Sequence, residues 1–256
     1  EHAVPAMYRG KQLVVAGDEK QLPPFDLFEA YLEEEEREDL EEDPRPKPLQ
    51  DVSETKALLQ LARKRYPEVL LKWHYRSRHE ELISYSNHAF YRGRIAHTPN
   101  ASSPEEPPIE WVRVNGSWEH RKNRAEAEKV VKLVDEIISR RNPPSVGIIT
   151  FNANQKELIQ NLLERKARDD HGFYRKYKRE RERMQDEEVQ SLFVKNIENV
   201  QGDERDVIIF SIGYAPSPAG NVVAQYGSLA AEGGENRLNV AISRAREKIY
   251  VVGSIA

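Results

Sequence analysis

The sequence predicts an α/β fold built on a parallel sheet with flanking helices. Beyond Asp51 the chain alternates between segments of helical periodicity and short apolar segments that are typical of buried strands. Such alternation indicates βα units and therefore a parallel sheet. The length of 256 residues allows one large domain or two small ones, at roughly 100–200 residues per domain.

The first strand is predicted in the apolar run from Leu13 to Ala16, which ends at Gly17-Asp18 as a buried strand ends in a loop. Ligands of open α/β sheets bind at this carboxyl edge, so a motif placed here is well situated for binding. Further along the chain, the periodicity predicts helices over 53–65 and 79–91. The alternating segment 109–114 favours an edge strand.

Asn123 and Glu126 have the spacing of a capping box, which predicts the start of a helix. The apolar residues that follow fall on one helix face, namely Ala127, Val130, Val131, Val134 and Ile138. Strands are then predicted over 146–150, 206–212 and 249–253, with helices over 153–168 and 235–246.

The negative charge of the chain is concentrated in one segment. Residues 29–51 hold 11 acids and 3 bases, a balance of −8, so the rest of the chain sums to +4. Such a segment, with Pro44, Pro46 and Pro48, cannot bury apolar area and is expected to be a solvated linker. The alternative is an acidic decoy that shields a basic groove until nucleic acid displaces it.

Composition excludes several classes of protein. The chain has no cysteine, which rules out disulfides and thiolate metal sites. It contains no apolar run of about 20 residues that could span a bilayer and no signal-peptide pattern. The histidines lack a paired metal-ligand spacing. We therefore expect a cytoplasmic protein with no membrane contact and no protein-bound metal.

Four short motifs follow one another along the chain. They are Gly17-Asp18-Glu19-Lys20-Gln21-Leu22-Pro23-Pro24, His74-Tyr75-Arg76-Ser77, Gln201-Gly202-Asp203-Glu204 and Arg237 to Arg246. The G-x-x-x-x-G-K-[ST] loop that would hold nucleotide phosphates is absent. The nearest candidate, Gly10-Lys11, is followed by Gln12 where a hydroxyl is required.

This ordered set resembles superfamily 1 DNA and RNA helicases, in the bacterial subgroup of the branch that includes the nonsense-mediated-decay helicase. The resemblance is strongest over Trp73–His79, Val194–Asp206 and Arg237–Arg246. It implies a RecA-like fold of the P-loop NTPase type. It also implies three parts, which are the tail end of a first RecA-like domain (1–28), an acidic linker or insertion (29–52) and a second RecA-like domain (53–256).

In such a helicase, ATP and Mg²⁺ would be held mainly by residues upstream of this chain, which alone is expected to be inactive. The resemblance implies that Gln21 senses the γ-phosphate and the attacking water, with Asp18 beside it. Arg76 and Arg244 match two arginines presented to the γ-phosphate. A guanidinium group suits this role because it stays charged and binds phosphate oxygens in a fork. Taken singly, either arginine could equally be a surface charge.

Glu204 matches a contact to the nucleotide sugar, and Gly202 would allow close backbone approach. Gln201 would link the nucleotide and nucleic-acid sites. Thr150 and Asn196 match positions that contact the nucleic-acid backbone, although Asn196 stands where the commonest pattern has threonine. For Thr150 a strand-end cap is the alternative.

The segment Arg165–Arg183 mixes basic residues with Phe173, Tyr174 and Tyr177. It could grip a strand by charge and stacking, but interleaved acids favour a solvated helix.

The sequence therefore predicts the C-terminal motor domain of an ATP-dependent helicase or translocase that acts on single-stranded DNA or RNA. Its partners would be that strand and its own N-terminal RecA-like domain. The alternative is a non-catalytic nucleic-acid-binding or NTP-switch module.

Overall fold

The computed structural model of the protein describes residues 4–22, 58–98, 104–185, 188–221, 229–230 and 233–255. The chain divides into two compact units, Glu1–Leu70 and Leu71–Ala256. The predicted acidic linker over 29–52 and the start of the predicted helix over 53–65 lie outside the described residues.

The described residues of the first unit contain two helices, α1 (Val4–Arg9) and α2 (Leu58–Arg65). The strand predicted from Leu13 to Ala16 was wrong, because residues 13–18 form no regular structure and the Val14 side chain is exposed. A strand must pair its backbone groups with a neighbour. Within the described part of this unit, no other strand is present to accept that pairing.

The second unit carries the sheet. Its elements, in chain order, are β1 (Trp73–His74), α3 (Glu81–Tyr91), β2 (Ala96–His97), β3 (Ile109–Arg113), α4 (Arg124–Ile138), β4 (Val146–Thr150), α5 (Ala153–Asp169), α6 (His171–Arg181), β5 (Met184–Gln185), β6 (Glu188–Val189), β7 (Phe193–Asn196), a 3₁₀ turn (Ile197–Asn199), β8 (Arg205–Ser211), α7 (Gly234–Ile242) and β9 (Ala245–Gly253).

Five of these strands form one sheet in the order β3-β9-β8-β4-β7. All four pairings are parallel. β1 pairs with β2, and β5 with β6, outside this sheet. The predicted class, an α/β fold with a RecA-like parallel sheet and flanking helices, is confirmed. The segment predicted as an edge strand, 109–114, does lie at an edge.

Side-chain caps start three of the helices. The Asn123 side chain accepts a hydrogen bond from the Glu126 amide, as the capping-box spacing predicts. Asn152 caps α5 through the Gln155 amide, and Asp170 caps α6 through the Phe173 amide. Asp170 therefore ends one helix and begins the next, so the basic segment folds as two helices and not one.

The main core lies between the sheet and helices α4, α5 and α6. Val207 and Ile209 of β8 face this core, together with Tyr250 and Val252 of β9. Successive strand residues point to opposite faces, so the buried residues Ile208 and Phe210 lie on the other face. There α3 packs against α7 and β9, and α7 packs against the 3₁₀ turn.

Some elements differ from the sequence prediction. The helix predicted over 235–246 ends at Ile242, because β9 already begins at Ala245. The short strand β7 was not predicted, since four residues carry little periodicity. Among the described residues, no helix has the length and apolar character needed to cross a membrane.

Candidate functional site

A cluster of three arginines around one carboxylate lies at the amino ends of β8 and β9. Glu204 immediately precedes β8, and Arg244 immediately precedes β9. Arg76 comes from the segment that follows β1, and Arg246 is the second residue of β9. We name these four residues the arginine cluster.

Glu204 is the centre of the cluster. Its Oε2 atom lies 2.6 Å from Nε of Arg76. Its Oε1 atom accepts a hydrogen bond from Nε of Arg246 at 3.1 Å and a second from Nη2 of the same residue. Burial alone would raise the pKa of Glu204, but the Arg246 hydrogen bonds and the charges of Arg246, Arg76 and Arg244 hold that pKa below its usual value.

Arg244 is the most deeply buried member, with 3% of its surface exposed. Its Nε donates to the carbonyl of Val240 at 2.8 Å, Nη2 donates to Oγ of Ser243 at 2.9 Å, and Nη1 donates to the carbonyl of Asp203 at 3.3 Å. Burial, aided by the positive charge of Arg76, lowers the pKa of Arg244 to about 10. The group therefore stays charged at neutral pH, and its hydrogen bonds fix its direction.

The segment that carries Arg76 is tied to the start of β9. Ser77 Oγ donates to the carbonyl of Ala245 at 3.3 Å, and the Arg78 amide donates to the carbonyl of Arg246 at 2.7 Å. The Ser77 amide donates to Nε2 of His74 at 3.1 Å, which requires a neutral imidazole. Burial, followed by the charges of His97 and Arg76, lowers the pKa of His74 to about 4. His74 is thus a structural neighbour of Arg76.

Sequence reasoning missed the position of Arg246, because the sequence favours a solvated cation beside the start of a strand, without a catalytic role. A β-bulge explains the difference. Arg205 pairs with Ala245 but Val207 pairs with Lys248, so β9 has one extra residue opposite β8. Within this bulge, the Arg246 side chain reaches Glu204 and also lies 4.0 Å from Asp206. Lys248 pairs instead with Glu106 and Glu110, outside the cluster.

The motif loop that contains Gly202 connects opposite ends of the sheet. It begins where β7 ends and finishes at the amino end of β8. Gly202 has φ of +85°, a conformation that favours glycine. Lys195 of β7 reaches across this loop and lies 2.6 Å from Oδ2 of Asp203. Gln201 is exposed on the same loop.

Thr150 and Asn196 lie at the carboxyl ends of β4 and β7, where they are direct neighbours in the sheet. Both are buried. Thr150 Oγ1 donates to the carbonyl of Asn152 at 3.0 Å, and Asn196 Oδ1 accepts from the Ile197 amide at 2.8 Å. The structure therefore places these two residues together but at the opposite end of the sheet from the arginine cluster.

A buried polar network adjoins this carboxyl edge. Glu126 accepts hydrogen bonds from Asn123 Nδ2, the Gly213 amide and Ser254 Oγ at 2.7–2.9 Å. Gln155 Nε2 donates to Ser211 Oγ at 3.0 Å. Burial raises the pKa of Glu126 to about 7, against the effect of these hydrogen bonds. The sequence signals only the cap, not the network.

The first unit holds the other predicted nucleotide contacts. Gln21 Nε2 donates to Asp18 Oδ2 at 3.0 Å, and the Lys20 amide donates to Asp18 Oδ1 at 2.9 Å. These bonds form a turn in which Asp18 orients the Gln21 amide.

The predicted stacking surface of the basic segment needs correction. Phe173 and Tyr177 pack in the core and cannot stack on bases. Tyr174 is the exposed aromatic of the three, at 42%. Most lysines and arginines of this segment have acidic partners. Arg179 and Arg183, for example, both pair with the buried Glu180.

The donor set of the arginine cluster fits a polyphosphate. Three guanidinium groups face one carboxylate, which leaves an excess of positive charge, and Arg76 has 36% of its side chain exposed. No group of three or more His, Asp or Glu side chains that could hold a metal ion occurs in the described parts of the chain. The cluster thus offers anion binding and no site for a cation.

Comparison with known proteins identifies relatives. The family model described as an AAA domain matches residues 52–256. An uncharacterized ATP-dependent helicase of Mycoplasma pneumoniae, the MG140 homolog, is 38% identical over 97% of this chain and 21% of its own length. The Regulator of nonsense transcripts 1 homolog of Neurospora crassa is 24% identical over 99% of this chain and 21% of its own.

Among solved structures, the C-terminal domain of a possible DNA helicase from Lactobacillus plantarum WCFS1 matches with a TM-score of 0.38 and 15% identity, over 70% of this chain and 88% of that one. The chain spans about a fifth of the length of the curated relatives named above.

Proposed function

Since the chain belongs to the AAA domain family and to the superfamily 1 helicases, we propose that it is the second motor domain of an ATP-dependent helicase or translocase. The track would be single-stranded DNA or RNA. The nucleotide would be gripped mainly by an upstream RecA-like domain, because this sequence has no phosphate loop.

The proposal is based on the position of the Glu204 carboxylate. It pairs with Arg76 and Arg246, and the charge of Arg244 acts on it as well. A guanidinium pre-oriented by a carboxylate loses little freedom when it binds a phosphate. We propose that Arg76 and Arg244 stabilise the charge that develops on the γ-phosphate, which bound ATP supplies. Asp18 and Gln21 are proposed as contacts to a nucleotide phosphate, and Gly202 and Glu204 as contacts to the sugar.

The strand contacts are proposed at the other end of the sheet, through Thr150, Asn196 and Gln201. Thr150 and Asn196 adjoin each other at the ends of β4 and β7. The loop from Asn196 to Glu204 then spans the sheet between the two sites. This connection supports a motor in which strand binding and nucleotide hydrolysis influence each other.

ATP turnover by a longer form of the protein that includes the upstream domain tests the proposal. Arg76→Ala is expected to reduce turnover by about 10³-fold or more, as arginine fingers contribute about 10³–10⁵. The matched control is Arg78→Ala, because Arg78 lies two residues away and pairs with Glu247 at 2.5 Å, outside the cluster. Equal turnover in the two variants would show that Arg76 does not act in ATP hydrolysis.

Arg244→Ala is expected to abolish most turnover as well. Because Arg244 is buried and hydrogen-bonded, its variant needs a parallel thermal denaturation. If the variant loses turnover but has the melting temperature of the wild type, the result supports a direct role of Arg244 in hydrolysis. Lost turnover that tracks a lowered melting temperature assigns Arg244 to folding.

A nucleic-acid-binding or NTP-switch module is the second candidate, favoured by the absence of a phosphate loop from the sequence. Binding to a single strand would then weaken steeply with salt. Loss of Arg76 would leave the activity of the longer protein unchanged. Stimulation of ATP turnover by single-stranded DNA or RNA would exclude this candidate.

A further inference from the structure

A concave groove lies between α5 and α6, apart from the arginine cluster. Its volume is about 770 Å³, within the range of about 300–1,000 Å³ that is typical of ligand sites. It is lined by the C-terminal half of α5 and by one face of α6. Since α5 starts at the carboxyl end of β4, the groove lies toward the amino end of the sheet, away from Thr150 and Asn196.

Two of the three lysine and arginine side chains that line the groove form no ion pair among the described residues, whereas the third, Lys178, lies 3.9 Å from Glu182. Elsewhere on α6, Lys176 pairs with Asp135 and Arg179 pairs with Glu180. By contrast, Arg168 and Arg181, which line the groove, form no ion pair with any residue in the described ranges. Arg181 lies over the ring of Tyr177, 5.7 Å from its centre. Two guanidinium groups therefore line the concavity without an ion-pair partner in the described part of the chain, although the carboxylates of Glu164 and Glu182 line it as well.

An exposed aromatic ring lies between these cations. Tyr174 is 42% exposed and stacks with His171, with ring centres 6.0 Å apart. His171, Tyr174, Lys178 and Arg181 all line the groove. Their spacing of three to four residues places them along one face of α6, over about 15 Å at 1.5 Å per residue.

We propose that this groove binds single-stranded nucleic acid, with phosphates on Arg168 and Arg181 and a base stacked on Tyr174. Guanidinium groups match phosphate oxygens, and an aromatic ring accepts any base by stacking. An acidic peptide would use the cations but has no planar base for the exposed ring. The groove extends the proposed function by a second strand contact, and it rests on that function only for the presence of a strand.

Fluorescence anisotropy with the full 256-residue chain and a labelled oligothymidylate tests whether the two arginines of the groove bind phosphates. Arg168→Gln/Arg181→Gln is expected to weaken binding about tenfold and to lower the slope of log K against log salt by about 1.4, at about 0.7 for each of two phosphates. Arg175→Gln is the matched control, because Arg175 is an exposed arginine of α6 that does not line the groove. Equal weakening by the control would overturn the proposal.

The aromatic contact is tested separately. Tyr174→Ala is expected to weaken oligothymidylate binding about tenfold, whereas Tyr174→Phe keeps the ring and the affinity. Inorganic phosphate and polyglutamate serve as competitors. If Tyr174→Ala binds the oligonucleotide normally, or if polyglutamate competes as well as the unlabelled oligonucleotide, the groove is a general anion or acidic-peptide site and the proposal fails.

Failure of the groove and failure of the proposed function give different results. These binding measurements contain no ATP, so they do not depend on the role proposed for the arginine cluster in ATP hydrolysis. If the groove variants bind normally while Arg76→Ala still abolishes turnover in the longer protein, the groove proposal alone is lost.

Discussion

Arg76 and Glu204 form an ion pair of 2.6 Å although they are far apart in sequence and come from different elements. Arg76 follows the short strand β1, and Glu204 precedes β8. The pair exists because Ser77 and Arg78 bond to the backbone of Ala245 and Arg246. The motifs that contain Arg76 and Glu204 are thus brought together by the motif that ends at Arg246.

A double-mutant cycle on this pair measures its coupling. Glu204→Gln and Arg76→Gln are each expected to lower the free energy of unfolding, and their coupling energy is expected to fall within about 0.5–3 kcal/mol. Removal of Glu204 alone is expected to cost more, because it leaves Arg76, Arg244 and Arg246 without their shared anion. Denaturant unfolding of the four proteins gives the values. Strict additivity would show that the contact contributes nothing.

Tyr75 presents an aromatic ring beside the cluster, since its side chain is 91% exposed next to Arg76. Such a ring suits stacking on the base of a nucleotide held by the neighbouring arginines. In the longer protein, Tyr75→Ala is expected to raise the KM for ATP about tenfold with little change in kcat. Tyr75→Phe is the control and should resemble the wild type. A lowered kcat at unchanged KM would instead assign Tyr75 to the chemical step.

The sequence predicted the sheet well because its strands are continuous apolar runs. Residues 146–150 are fully buried, as parallel strands covered on both faces should be. The capping pair Asn123 and Glu126 likewise predicted α4 from local chemistry alone. In contrast, the run Leu13–Ala16 is also apolar but forms no strand, because strand pairing depends on neighbours that composition does not reveal.

The candidate site was only partly predictable. The motifs named Arg76, Glu204 and Arg244, and the structure brings these three residues together. Arg246 was missed because its position depends on a bulge between β8 and β9, which leaves no periodic signal in a single strand. The general rule for α/β sheets also pointed to the carboxyl edge, whereas the arginine cluster forms at the amino ends of its strands.

Glu126 is expected to make stability depend on pH. Its pKa is raised to about 7 by burial, so between about pH 4.5 and 7 the folded state binds more protons than the unfolded state. The free energy of unfolding contributed by this group therefore falls as pH rises through that range, by at most about 3 kcal/mol at 1.36 kcal/mol per pKa unit. Glu126→Gln, which mimics the protonated form, should lose this dependence.

His74 has the opposite effect on the pH dependence of stability. Because its pKa is lowered to about 4, its contribution to the free energy of unfolding rises with pH until the pH reaches the ordinary pKa of histidine. Both the wild type and Glu126→Gln contain His74. The difference between their free energies of unfolding therefore does not include the His74 contribution. Denaturant unfolding at pH 5, 6, 7 and 8 gives this difference directly. If the two proteins change in parallel with pH, Glu126 is ionised throughout the range.

Lys195 and Asp203 provide the last prediction, which concerns communication between the two ends of the sheet. Lys195 precedes Asn196 at the end of β7, and its Nζ lies 2.6 Å from Asp203 Oδ2. The carbonyl of Asp203 in turn accepts a hydrogen bond from Arg244. This chain of contacts connects a proposed strand contact with a proposed phosphate contact.

In the longer protein, Lys195→Met is expected to reduce the stimulation of ATP turnover by single-stranded nucleic acid, by roughly 2- to 30-fold for a coupling of about 0.5–2 kcal/mol. Turnover without nucleic acid should stay within about twofold, because Arg244 keeps its bonds to Val240 and Ser243. Lys132→Met, which removes an exposed pair with Glu136 on α4, is the control. Full stimulation in Lys195→Met would mean that the signal between the sites does not pass through this ion pair.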